Sequence, residues 1–93
     1  SILYHLMEFE FDPAKSAANK AKHGIDFVEA QALWLDGGIA DAPVVSRGEQ
    51  RYLVIGRLDG KHWTAVCTLR GEAVRIISVR RARKVEVMFY EGS

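Results

Sequence analysis

Arginine supplies most of the chemistry this sequence could perform. Between Arg47 and Lys84 stand ten basic residues and three acidic ones, Glu49, Asp59 and Glu72, while the rest of the chain holds three basic residues and nine acidic ones. A whole-chain charge of +1 conceals this division. Such clustering is the trace of a face built to meet phosphate, whose paired oxygens suit the planar guanidinium fork. The competing reading is a set of ordinary strand arginines neutralised by the acidic remainder of the chain. His23, at the end of a helix, and His62, in a strand, add imidazoles able to move protons near neutral pH, and Lys22 adds an amine beside the first. His5 lies in the N-terminal stretch set aside below. Three histidines and one cysteine show no metal-ligand spacing, and there is no glycine-rich phosphate loop. Cys67 falls inside a strand pattern without a thiol partner and reads as a packing residue.

The frame that must position these groups is small. Ninety-three residues describe one domain, read here as 7–93, with residues 1–6 as an extension ahead of Met7 and outside the fold. A single thiol cannot form an internal disulfide, which fits a reducing cytoplasm. No apolar run approaches the roughly 20 residues needed to cross a bilayer, so no membrane association is expected. Stability at this length is marginal, and a partner chain that adds to it is easy to accommodate.

Along the chain, Glu8 to Phe11 alternates as a short strand. Asp12-Pro13 starts a helix that Gly24 ends, with Ala14, Ala17, Ala18 and Ala21 as a small-residue stripe toward the core and Lys15, Asn19, Lys20 and Lys22 outward. Asp26 and Glu29 have capping-box spacing at the head of a second helix, whose buried side is Phe27, Ala30, Leu33 and Trp34 and which Asp36-Gly37-Gly38 ends. Ile39 to Val45, broken by Pro43, suits an edge strand. Arg51–Leu58, Lys61–Leu69 and Val74–Arg81 form an antiparallel meander around Asp59-Gly60 and Gly71-Glu72. A closing helix over Ala82–Glu91 has Val85, Met88 and Phe89 on one side, and Trp34, Trp63, Phe27 and Phe89 are expected in the core. The expected class is α+β, an antiparallel sheet with the order β-α-α-β-β-β-β-α.

A two-residue loop at Asp59-Gly60 fixes which residues share a face. Arg57 should oppose His62, and Arg51, Leu53, Ile55, Thr64, Val66 and Thr68 should share their side. A loop at Gly71-Glu72 then sets Thr68 against Arg75 and carries Ile77, Val79 and Arg81 onto that side, with Ser78 and Arg80 opposite. Arg51, Thr68 and Arg75 would form one row, and Arg57, His62 and Arg81 a second cluster, around a phosphodiester.

The string FEFDPAKSAANKAKHGIDFVEA, followed by RYLVIGRLDGK and TLRGEAVRIISVRRARKVEVMFYE, resembles the BrnT family of type II toxins from Phe9 to Glu91. The resemblance rests on Phe9-Glu10-Phe11-Asp12-Pro13 with Lys15, Lys22-His23-Gly24, Phe27-Val28-Glu29-Ala30, Ile55-Gly56-Arg57, and Arg75-Ile76-Ile77-Ser78 followed by Arg80, in that order. The family often has Trp at Phe11 and Ala at Val79. The resemblance implies a RelE-like ribonuclease that cleaves RNA and stops translation, paired with a BrnA-like antitoxin. Operator DNA would be bound only through the antitoxin complex.

Metal-independent RNA cleavage needs a base for the 2′-hydroxyl, cations for the charged phosphorane and an acid for the leaving oxygen, and no cofactor. His23, Lys22, Arg57 and Arg80 are the catalytic candidates on that reading. Arg51, His62, Thr68, Arg75 and Arg81 are the candidates for holding RNA. Two readings stand beside it: an RNA- or ribosome-binding module without catalysis, and a protein whose basic face docks an acidic peptide.

Overall fold

The computed structural model describes residues 7–36, 39–44 and 48–92. The proposed extension 1–6, the Gly37-Gly38 helix end and the Val45 strand end lie outside those residues. The elements are β1 (Glu8–Glu10), α1 (Pro13–His23), α2 (Phe27–Ala30, continued by a 3-10 turn over Gln31–Leu35), β2 (Ala40–Val44), β3 (Arg51–Leu58), β4 (Lys61–Arg70), β5 (Ala73–Arg81) and α3 (Lys84–Glu91). They form an α+β fold in the order the sequence suggests. The sheet runs β1-β5-β4-β3-β2, with Pro43 on the edge strand.

The sheet is mixed, which corrects the antiparallel expectation. β1 pairs parallel with β5, Glu8 to Glu10 lying beside Ala73 to Arg75. Parallel pairing demands a long crossover, and the intervening helices and meander provide it. Nothing in a three-residue strand encodes the direction of a partner more than sixty residues away.

Both helix starts follow the capping chemistry. The Asp12 carboxylate accepts from the Ala14 N–H at 2.9 Å, and Gly24, at φ 82°, closes α1. Asp26 and Glu29 exchange reciprocal bonds of 2.7 and 3.0 Å, and Lys20 Nζ sits 2.8 Å from Glu29, tying α1 to the head of α2.

The alanine stripe of α1 does not face the core. Ala14, Ala17, Ala18 and Ala21 are exposed, and the buried residues are Ser16 and Asn19. Asn19 Nδ2 donates to the carbonyls of Val79 and Ile25, each at 2.8 Å, and Oδ1 accepts from the Val79 N–H at 3.2 Å. Because β1 ends beside Arg75, the remainder of that β5 edge has no neighbouring strand among the described residues, and the Asn19 amide supplies a donor and an acceptor there. Ser16 Oγ accepts from the Phe27 N–H at 2.9 Å. Hydrogen bonding, rather than apolar area, selects the face that α1 buries.

The core lies between α1–α2 and one side of the sheet. Ile25, Phe27, Ala30 and Leu33 pack on Val54, Trp63, Ala65, Cys67, Val74, Ile76 and Val79, while Trp34 is half-buried at the margin. Phe11 meets Phe27 edge-on at 5.8 Å, and Phe9 meets Trp34 at 5.1 Å. A Cβ at Gly56 would come within 3.2 Å of Ile39 and 3.4 Å of Leu33, so a side chain at this strand position would require those neighbours to give by a few tenths of an ångström. Cys67 is buried, and desolvation pushes its thiol up to about 11, in keeping with a packing role.

Asp59 and Gly60, at φ 53° and 76°, make the tight turn, with Leu58 opposite Lys61 and Arg57 opposite His62. Thr68 opposes Arg75 as expected. Further along, the pairing shifts between Val66 and Cys67: Cys67 opposes Ile76, but Val66 opposes Ser78, leaving Ile77 as an extra residue. This bulge reverses every later assignment on β5. Ser78 and Arg80 join the side of Thr64 and Arg57, while Val79 and Arg81 turn to the side of Ala65 and Trp63. Val79 is thereby fully buried in the core.

α3 also departs from its pattern. Val85, Met88 and Phe89 are 69%, 65% and 47% exposed, so Phe89 is not a core residue, and the buried position is Glu86. The helix rests on the sheet side opposite α1 and α2, docked through a carboxylate instead of its apolar stripe.

Candidate nucleic-acid interface

The sheet side that carries Arg51, Arg57, Thr64, Thr68, Arg75 and Arg80 is the one α3 partly covers. Glu86 is the hub of this contact. Arg80 donates to both of its oxygens, at 2.7 and 2.8 Å, Thr64 Oγ1 lies at 3.0 Å and the Arg83 N–H at 2.7 Å. The Arg80 bonds, helped by those of Arg83 and Thr64, hold the Glu86 carboxyl down at about 2 against burial, and the same pairing raises Arg80.

Other members of the expected phosphate row are also engaged by the protein itself. Arg75 meets Glu10 at 3.3 Å, Arg51 Nε lies 3.5 Å from Glu49, and Thr68 Oγ1 donates to the Gln50 carbonyl at 2.7 Å. Arg81 has left this side and stacks its guanidinium 5.5 Å from the Trp63 ring centroid. The continuous cradle of free guanidinium groups anticipated from the strand register is therefore absent among the described residues. Intramolecular pairing, the competing reading, accounts for Arg51, Arg75 and Arg80.

Arg57 differs. It is exposed and forms no ion pair among the described residues. Its backbone N–H donates to Asp36 Oδ2 at 2.7 Å, and the Tyr90 hydroxyl donates to the same oxygen at 2.7 Å. Opposite Arg57, His62 lies edge-on to Tyr90 at 5.2 Å, with its Nε2 2.9 Å from Glu91. Arg57, Asp36 and Tyr90 line an open cleft of about 500 Å³ by the hairpin turn. The bond to Asp36 raises the Tyr90 phenol above its usual range, so it remains a proton-bearing donor at neutral pH.

Two candidates lie elsewhere. Lys22 and His23 close α1, which packs on the Val79 side, across the sheet from Arg57 and His62. The cleft beyond Gly24 is lined by Glu29, Lys61 and Trp63, without Arg57 or Arg80.

Glu86, Tyr90, Glu91 and Asp36 were not singled out in the sequence. For two of them a signal exists: Glu86 and Tyr90 stand at i, i+4, one face of α3, and Glu86 stands three residues after Arg83, at the capping position. Apolar Val85, Met88 and Phe89 mark the other side, and apolar periodicity favoured the wrong one.

Fold and cleft together define a small α+β protein with a cation and a phenol lining an open cleft and an imidazole packed against the phenol. Residues 11–86 match the family model described as the ribonuclease toxin BrnT of type II toxin-antitoxin systems, and the chain belongs to that family. As a toxin of that type it has an antitoxin as partner. No curated protein matches the chain. No helix among the described residues is long and apolar enough to cross a membrane.

Proposed function

We propose that this toxin is a metal-independent endoribonuclease of RelE-like kind that stops translation in the cytoplasm, and that its active site is the Arg57–His62–Tyr90 cleft. The observation that carries this reading is the placement of a guanidinium without an ion pair among the described residues opposite an imidazole, with a phenol against that imidazole, at one open end of the sheet. His62 takes the proton of the ribose 2′-hydroxyl, and that oxygen forms its bond to phosphorus. Arg57 offsets the charge on the phosphorane, the bond to the 5′-oxygen breaks, and Tyr90 delivers a proton to that oxygen. The products are a 2′,3′-cyclic phosphate and a 5′-hydroxyl, with phenol and imidazole re-equilibrating their protons through water.

Glu91, bonded to His62, orients the ring, and Asp36 orients Tyr90. The proton carrier is His62 rather than His23 because Arg57 faces it across the hairpin. Arg80, with Arg75 and Arg51, serves the reading as a border of partly neutralised charge along which the RNA backbone runs, and Arg80 also holds α3 over the sheet.

The test is incubation of partner-free, folded protein with RNA in EDTA at low salt. Cleavage is expected, with Arg57→Ala slower by about 10²–10³-fold and His62→Gln by about 10²–10⁴-fold. Intact RNA would overturn the proposal. Saturable, salt-sensitive RNA binding without products would instead identify a non-catalytic RNA-binding module.

A further inference from the structure

The outward side of α3 is the least expected surface of the molecule. Val85, Met88 and Phe89 stand at i, i+3 and i+4, all exposed, on a helix whose buried residue is a carboxylate. Beside them lies a groove of about 230 Å³, with Leu53 and Ile55 of β3 as floor, Ala42 of the edge strand as one wall, and Val85 and Phe89 as the other. The one ionisable group in its lining, Glu86, has its oxygens occupied by Arg80, Thr64 and the Arg83 N–H.

Cations border the groove, Arg51 among them with Glu49 as its partner. On the same face of β3, Arg51 precedes Leu53 and Arg57 follows Ile55, two residues away in each direction. Arg83 and Lys84, exposed and without an ion pair among the described residues, precede Val85. Asp41 sits opposite Val54 and so turns to the other side of the sheet. A helix–sheet groove with an apolar floor and a cationic border fits an amphipathic segment that carries large apolar side chains and flanking carboxylates.

We infer that this groove is where the antitoxin docks, through an acidic amphipathic segment whose apolar side chains lie over Leu53, Ile55, Val85 and Phe89 and whose carboxylates meet Arg83, Lys84 and Arg57. The inference rests on the toxin reading above and adds the mode of neutralisation. Ile55 and Arg57 share a strand face, and Phe89 precedes Tyr90, so an occupant of the groove sets its carboxylates against the catalytic cleft. One segment would thereby cover the apolar surface and exclude the RNA backbone.

The experiment uses the full chain and its cognate antitoxin, purified separately and titrated by calorimetry. Val85→Asp combined with Phe89→Ser, both at exposed positions, is expected to weaken binding at least 100-fold. Far-ultraviolet circular dichroism and RNA cleavage should stay at wild-type level. A second variant, Arg83→Glu with Lys84→Glu, is expected to weaken binding at least tenfold and to flatten its salt dependence. Wild-type affinity in both variants would overturn the inference. So would a wild-type toxin that self-associates through this groove, seen as a dimer in sedimentation that Val85→Asp/Phe89→Ser dissolves. Lost antitoxin binding in a protein that never cleaves RNA upholds the docking surface and removes the nuclease reading; cleavage with unaltered antitoxin binding does the reverse.

Discussion

Glu86 shows how a single side chain can redirect a surface. It is 8% exposed and holds Arg80, Thr64 and the Arg83 N–H at once, so a residue type usually found in water becomes the anchor of a helix. Its carboxyl is held at about 2, below the ordinary 4.5. A carboxyl depressed in the fold stabilises above its unfolded value and loses that contribution as pH falls toward the folded one. Glu86 therefore contributes up to about 3 kcal/mol at neutral pH, lost between about pH 4.5 and 2. Urea unfolding followed against pH should show this acid limb in the wild type and a flatter one in Glu86→Gln. Thr64 and Arg80 are legible in the sequence as strand residues, but their partner is not, because only the folded chain brings α3 across them.

Among the elements, α1 and β5 depend on details that periodicity does not carry. Asn19 completes the open edge of β5 through the N–H and carbonyl of Val79. Removing it leaves buried backbone groups without partners, and Asn19→Ala is expected to cost about 2–3 kcal/mol by chemical denaturation. Ala17→Ser, on the exposed side of the same helix, should change stability by about 0.5 kcal/mol or less. The bulge at Ile77 is the second detail. Deleting Ile77 leaves a regular ladder that, with β4 and the Gly71 turn unchanged, keeps Val79 opposite Ala65 in the core and Arg80 opposite Thr64 on the other side. The expected result is a retained cooperative thermal transition, measured by circular dichroism; its loss would show that Ile77 does more than add one residue to the strand. Hairpin chemistry made the first two strands and their register readable, whereas an inserted residue with no glycine or proline to mark it was not.

At the level of the whole molecule, the basic and acidic halves of the sequence fold onto each other. Arg75 finds Glu10 and Arg80 finds Glu86 across that division, Arg51 finds Glu49 within the basic stretch, and among the described residues Arg57 is left as the exposed cation at the cleft. Phosphate affinity should accordingly be modest and concentrated at that end. Induction of the chain without its partner is expected to arrest growth. Arg57→Ala should relieve that arrest, while Arg75→Ala, at a residue paired with Glu10, should relieve it less. Equal relief by the two, with both variants folded, would show that the whole row binds RNA. The family model spans residues 11–86 and stops short of Phe89, Tyr90 and Glu91, so that end of the cleft rests on the geometry of this chain alone.

By itself the sequence determined the helix starts at Asp12 and Asp26, the turn at Asp59-Gly60, the edge position of Pro43, the order of elements and the family. Each of these depends on neighbouring residues or on a motif read in order. Tertiary structure alone decided the parallel pairing of β1, the buried side of α1, the exchange of Arg80 and Arg81 across the sheet, and the arrival of Tyr90 beside the Arg57–His62 pair. Those outcomes depend on which distant backbone groups need partners and on one extra residue in a strand, and local pattern carries no record of either.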